Sequence, residues 1–450
     1  MRKIITQKNN QDIEPVRRLL RQIDEGKTEM DVRGLTGSSR SFLVSLLAER
    51  LNRPLLVVCA EEKDAAAFAR NVSVFLGAES VFHYPSLDFL TVDMFALQKE
   101  AEMARLEVLA NLQLNSKMIV VTSVTALMQK IMPVARFNES LQIISVGDRL
   151  NREAFCDRLI SLGYKRESLV EEKGEFSLRG NIMDIFPPTE KNPLRLEMMG
   201  DDIESVRTFD ATSQRSTGTA SAFIVSPAGE VVVNQTTREL AVRNIRRRSD
   251  DLSLSRDIRN RLTDALKEGL TDSVNPIFLP LFYESYDQDN GLSRNNLSRL
   301  FDYLSPNTLI VVDDTMAVNQ AAQNVHLNID KLLFKTKNSG KFYLEKENTY
   351  ILPAELTGDM AGFVQVHLEG LLLDDVERKG ERAVAFETQP YLCAGELREG
   401  EIREDACLRW TAGKMKSWLT DGMLIFLLCR TPEDVQRMKH LLLSHDLPVQ

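Results

Sequence analysis

Short runs of consecutive apolar residues alternate along this chain with stretches of helical spacing. Ile13, Val16, Leu19, Leu20 and Ile23 recur at helical intervals, predicting a helix over 12–25. A loop and helix follow, and then LLVVC (Leu55 to Cys59), Ser80 to Phe82 and MIVVTS (Met118 to Ser123) read as strands. Between these strands, helical patterns cover Glu61 to Leu76 and about Leu97 to Leu112. Continuous apolar strands separated by helices predict a parallel sheet covered on both sides, a doubly wound α/β unit.

From Gly174 to Arg215 the period changes to two. In PLRLEMM, Leu194, Leu196 and Met198 point to one face, while Arg195, Glu197 and Met199 point to the other. Gly180-Asn181 and Gly200-Asp201-Asp202 punctuate the stretch as hairpin turns, and Pro187-Pro188 breaks it again. The first set covers a core. The second forms a solvent-facing row, which Arg179 can join. By residue type alone, that row is either an ordinary solvated face or a recognition surface.

A helix from Arg152 to Leu162, stopped by Gly163, precedes this β-rich stretch. After it comes a densely charged helical region. Arg243, Arg246, Arg247, Arg248, Arg256, Arg259 and Arg261 invite nucleic-acid contact, and Asp250, Asp251, Asp257 and Asp264 partly neutralise them. Beyond residue 350 the pattern restarts: a strand at Arg382 to Pro390, a helix at Ala412 to Leu419, a buried strand at Met423 to Arg430 and a helix at Pro432 to Leu443. A third, small α/β domain is implied, with Trp410 and Trp418 read as core rather than contact anchors.

Composition narrows the class. The 450 residues suffice for two to four domains, and 43% apolar residues with 7% aromatic fit a soluble globular chain. A net charge of −9 argues against general polyanion binding, so any nucleic-acid contact must be local. Five scattered cysteines without C-x-x-C spacing fit reduced thiols, and five scattered histidines suggest no metal cluster. No signal peptide or membrane span is evident, which makes the cytoplasm the expected compartment.

Two stretches bear on catalysis. Gly34, Gly37 and Ser41 stand where a G-x-x-x-x-G-K-(S/T) phosphate loop would need them. Ser39, however, replaces the second glycine and Arg40 replaces the lysine. Serine resists the backbone geometry that glycine tolerates, and a planar guanidinium is no equivalent of a compact ammonium. The loop is either a weakened nucleotide site or a relict that caps a helix, and the substitutions favour the relict. LIVVDD (Leu309 to Asp314) resembles a strand delivering a carboxylate to magnesium. It continues as Asp313-Asp314-Thr315-Met316, without glutamate or histidine, and aspartate in the glutamate position is one carbon short for a general base.

The run Gly174-Glu175-Phe176, Arg179-Gly180, Ile182, Asp184-Ile185-Phe186-Pro187, then Pro193-Leu194-Arg195-Leu196-Glu197 and Gly200 through Ser216, resembles the second domain of bacterial transcription-repair coupling factors. The excision-repair protein UvrB has a related domain. The resemblance implies a docking surface for the damage-recognition ATPase UvrA, with Arg179, Arg195 and Met199 carried over by position. Glu197, Glu204 and Arg207 are the rim candidates, and Met199 stands where the family often has an aromatic. The PLFYE and DYL stretches around 280–304 resemble the family's return segment, which would complete the first sheet.

The resemblance therefore implies a discontinuous helicase-like domain over 1–139 and 226–340, with a degenerate nucleotide site. An inserted, mainly β docking domain would occupy 140–225, and a truncated third domain 350–450. It implies no hydrolysis and no cofactor in this part. ATP and magnesium belong to motor domains beyond it, and RNA polymerase and double-stranded DNA are partners of the full-length protein. Contact of the docking domain with C-terminal domains would mask its face. The rival reading is a DNA-dependent ATPase or helicase of the UvrB type.

Overall fold

The computed structural model describes residues 14–87, 99–114, 117–267, 276–287, 291–294, 296–369, 383–386, 404–422, 431–448 and positions 425, 427 and 429. Seven parallel strands build the main sheet: β1 (Glu29–Arg33), β2 (Leu55–Cys59), β3 (Val81–Tyr84), β4 (Ile119–Ser123), β15 (Leu309–Asp313), β16 (Val364–Leu368) and β17 (Val384–Ala385). Their order across the sheet is β17-β1-β16-β15-β2-β4-β3.

Alternate residues of the central strands feed two cores. Leu56, Val58, Val120, Ile310 and Val312 pack into one cluster, while Leu55, Val57, Ile119, Val121, Leu309 and Val311 pack into the other. Burial on both faces explains why these strands read as unbroken apolar runs. Local chemistry sets their edges. The helix Ser38–Leu51 ends at Asn52, which holds a left-handed conformation (φ 52°), before Pro54 leads into β2.

A second sheet lies between these strands in sequence. It comprises β6 (Lys165–Arg166), β7 (Glu175–Arg179), β8 (Ile182–Ile185), β9 (Leu194–Met199), β10 (Asp202–Phe209) and β11 (Ser216–Ala220), in the order β11-β10-β9-β8-β7-β6. Two-residue turns at Gly180-Asn181 and Gly200-Asp201 join β7 to β8 and β9 to β10, with both glycines at positive φ. At the neck, β5 (Gln142–Ser145) pairs antiparallel with β12 (Ala222–Val225), bringing the two ends of the β-rich segment together. Leu194, Leu196 and Met198 are buried as the alternation requires, and they join the cluster that also covers the main sheet.

Three expectations need correction. Glu29–Arg33, read as loop, is a strand, with Met30 and Val32 buried between β16 and β17. The main sheet does not end near 340, because β16 pairs with both β1 and β15, and β17 pairs with β1. The strand expected from Arg382 is therefore part of the first sheet as Val384–Ala385, rather than part of a third domain; 387–390 lie outside the described residues. Of Met423 to Arg430, only Ile425, Leu427 and Cys429 are described, and none lies in a strand. Ala412 and Met415 of the helix Glu404–Thr420 and Leu447, just after the helix Pro432–Ser444, form a small separate core, on which Trp418 packs.

Candidate functional site

The outward face of β7–β10 carries the residues singled out by sequence, organised around an acid that sequence reading passed over. Asp184 lies opposite Arg195 across β8 and β9 and is fully buried. Arg195 grips it with two bonds, Nε to Oδ1 at 2.8 Å and Nη2 to Oδ2 at 2.9 Å. Arg179 adds a third, Nη2 to Oδ2 at 2.7 Å. The Arg195 guanidinium also lies 4.5 Å over the Phe209 ring. Hydrogen bonding to Asp184 holds the Arg195 pKa above its ordinary value.

This geometry divides the two arginines. Arg195 is only 19% exposed and its fork is already occupied by Asp184, so it has no free bidentate grip to offer a partner. Arg179 is 48% exposed and keeps donors free of Asp184. Beside them Met199 is 66% exposed at the end of β9, and Ile182, opposite Glu197, is a second exposed apolar side chain on this face. Glu197 accepts from Ser205 Oγ at 2.7 Å and from Arg207 Nη2 at 3.2 Å, which ties two rim candidates to each other. Glu204 is the extra residue where the β9–β10 register shifts, and it is exposed.

Behind this face a buried network fixes the segment that follows the second sheet. Arg105 is fully buried, paired with Glu230, and donates to the Pro85 carbonyl at 3.1 Å and Gln129 Oε1 at 2.8 Å. The Glu230 amide donates to Glu102 Oε1 at 2.7 Å. No short motif signals this cluster; its hydrogen-bonded partners are up to 128 residues apart.

The phosphate-loop residues meet the acidic strand as an internal pair. Arg40 Nη1 is 2.5 Å from Asp313 Oδ1. Burial raises the Asp313 pKa, and Arg40 opposes that rise. Ser39 Oγ turns back to the Thr36 carbonyl at 2.7 Å and accepts from the Thr36 amide at 2.9 Å. Ser41 is buried, and Gly37 caps the helix at φ 55°. A Cβ on Gly34 would come within 1.9 Å of the Phe386 carbonyl oxygen, so the backbone just after β17 lies directly against the loop. Asp314 caps the helix Thr315–Asn338, accepting from the Ala317 amide at 3.0 Å. A nucleoside triphosphate with magnesium needs a cation free for phosphate and an acid free for metal, and this arrangement spends both on each other.

Comparison with known proteins follows the same lines. Residues 143–230, which contain the second sheet, match the UvrB interaction domain family. The transcription-repair-coupling factor of Myxococcus xanthus is 28% identical over 444 residues, covering 95% of this chain and 36% of that protein. The Bacillus subtilis (strain 168) transcription-repair-coupling factor is 27% identical over 338 residues, covering 72% of this chain and 27% of the relative. The chain thus spans about a third of the length of these relatives. Over most of its length the chain is similar to the amino-terminal part of transcription-repair-coupling factors of DNA repair, and it carries a UvrB interaction domain.

Proposed function

We propose that this chain is a docking adaptor, whose β7–β10 face binds UvrA and so recruits excision repair to a stalled RNA polymerase. The observation that carries this reading is the pairing of an exposed cation, Arg179, with the exposed apolar side chains Met199 and Ile182, on a sheet whose other face is core. A charged donor beside an apolar anchor on a stiff support suits a protein partner with an acidic surface. Asp184 and Arg195 hold that support in shape. Glu197, Glu204 and Arg207 form its rim.

The chain itself does not hydrolyse ATP in this reading, because Arg40, Asp313 and Asp314 satisfy one another or the backbone. ATP-driven movement on double-stranded DNA, with ATP and magnesium as cofactors, and the contact with RNA polymerase belong to other parts of the whole protein. Contact of those parts with the docking face would mask it. The compartment is the cytoplasm; among the described residues no helix is long and apolar enough to cross a membrane.

Titration calorimetry of the 450-residue chain with purified UvrA tests the proposal. Binding weakened about thirtyfold in Arg179→Ala while the chain stays folded is the expected result. Equal binding by wild type and Arg179→Ala overturns it.

A further inference from the structure

The arginines of the helix Gln235–Asp251 are not evenly neutralised. Arg248 donates to the Tyr343 carbonyl at 3.1 Å and to Glu345 at 2.9 Å. Arg259, on the helix Arg256–Lys267, pairs with Asp250 at 3.0 Å. Arg247 reaches only a neutral partner, the Tyr286 carbonyl at 3.0 Å. Arg243 and Arg246 are exposed and make no hydrogen bond or ion pair with any described residue, and the buried Nε of Arg238 has no partner.

These unneutralised groups converge. Arg238, Arg243, Arg246, Arg247 and Lys267 line one open cavity of about 510 Å³ between the two helices, with Glu239 as its acidic lining residue. Lys267 keeps Asp264 at 2.8 Å, so the excess cation comes mainly from the arginines. On a chain whose net charge is −9, such a concentration is local and distinct from the overall field.

We propose that this groove binds the phosphate backbone of duplex nucleic acid, without reading bases; the reading stands apart from the UvrA-docking proposal. The row from Arg238 to Arg246 runs roughly 12 Å along the helix at about 1.5 Å per residue. That length exceeds a single phosphate and spans several at about 3.4 Å per step of one strand. Among the described residues Val242 is the one apolar side chain in the lining, so they supply no cluster of buried anchors for a protein partner. Among the described residues no aromatic side chain lines it for stacking, which leaves phosphate as the recognised group.

The test is fluorescence anisotropy of the 450-residue chain with a labelled 20-base-pair duplex of arbitrary sequence, across a salt series. Arg243→Glu with Arg246→Glu is expected to weaken binding at least tenfold. It should also reduce the slope of log affinity against log salt by about two, since each phosphate contact contributes roughly 0.9. Arg243→Lys with Arg246→Lys should retain most of the affinity, because a point charge suffices for phosphate. The control Lys331→Glu with Lys335→Glu makes the same charge change on another exposed helix face and should leave binding within twofold. All three double variants should melt like wild type, since the four side chains are exposed. The proposal is overturned if the control loses as much affinity as the arginine pair, or if neither does. It is also overturned if polyglutamate or inorganic phosphate, at matched ionic strength, displaces the duplex as well as unlabelled duplex does; the first outcome points to an acidic protein and the second to a small-anion site.

Discussion

Asp184 and Arg195 are neighbours across β8 and β9, and the bidentate pair between them leaves the carboxylate without solvent exposure. That relationship makes Arg195 a support as well as a surface group. Arg195→Ala strips two bonds from a buried charge and uncovers Phe209, so it should lower stability by roughly 3–5 kcal/mol as well as weaken UvrA binding. Arg179→Ala removes one of three bonds on the buried Asp184 while Arg195 keeps its two, so it should cost less, roughly 1–2 kcal/mol. Its effect on binding should still be about 2 kcal/mol or more, close to thirtyfold. Thermal melts run beside calorimetry separate the two. If both variants melt alike, the division of labour drawn here is wrong.

Met199 and Ile182 set the apolar part of the same face. Met199 is too exposed to matter for folding, so Met199→Asp should leave the melt unchanged while weakening UvrA binding at least tenfold. Met199→Phe should tighten it, because a rigid ring loses less rotamer freedom on contact than a thioether chain. Calorimetry reads both. A Met199→Asp variant that binds like wild type removes methionine from the interface.

How much of this was legible in the sequence depended on whether a residue's role followed from its neighbours in the chain. The alternation in Leu194–Met199 and the two glycine turns fixed which side chains face out, because period and turn chemistry are local. Leu55–Cys59 and Leu309–Asp313 were legible as doubly buried strands for the same reason. Glu29–Arg33 and Val364–Leu368 were not, since charged and polar residues interrupt them and only their pairing within the sheet, with each other and with β15 and β17, makes strands of them. Asp184 was hidden because an acid in a strand reads as solvated until the arginine opposite is known. Arg105 and Glu230 were hidden by their separation of 125 residues.

Arg40 and Asp313 predict a pH-dependent cost. Burial raises the Asp313 pKa, and Arg40 is the counter-charge that limits the rise. Arg40→Gln leaves that carboxyl buried and unpaired, so its folded-state pKa climbs further above the unfolded value. A group of that kind destabilises the fold increasingly as pH rises through its folded pKa. The melting-temperature gap between wild type and Arg40→Gln should therefore be wider at pH 8 than at pH 4.5. Removing the guanidinium should not restore nucleotide, because Ser39 and the Phe386 carbonyl still close the loop and Asp314 remains a helix cap. Equilibrium dialysis with labelled Mg-ATP is expected to show no binding in either protein. Micromolar affinity in wild type would revive the ATPase reading.

Glu102 makes a second pH prediction, of the same sign and from a different place. Burial pushes its carboxyl up to about 8, and the Glu230 amide and the neighbouring Arg105 only partly oppose the rise. In the unfolded chain a glutamate releases its proton near pH 4.3. Between those values the folded state binds more protons than the unfolded one, so stability should fall as pH rises through the window, by up to about 1.4 kcal/mol per unit. Glu102→Gln keeps an oxygen to accept from the Glu230 amide and has no proton to lose. It should therefore match wild type near pH 5 and exceed it near pH 8, read as urea midpoints at both values. Because Glu230 begins the return from the inserted sheet to the main one, the loss at high pH should appear first as exchange of the amides of 226–233. Parallel pH curves for the two proteins would mean that Glu102 is ionised in the fold and that this joint is not pH-sensitive.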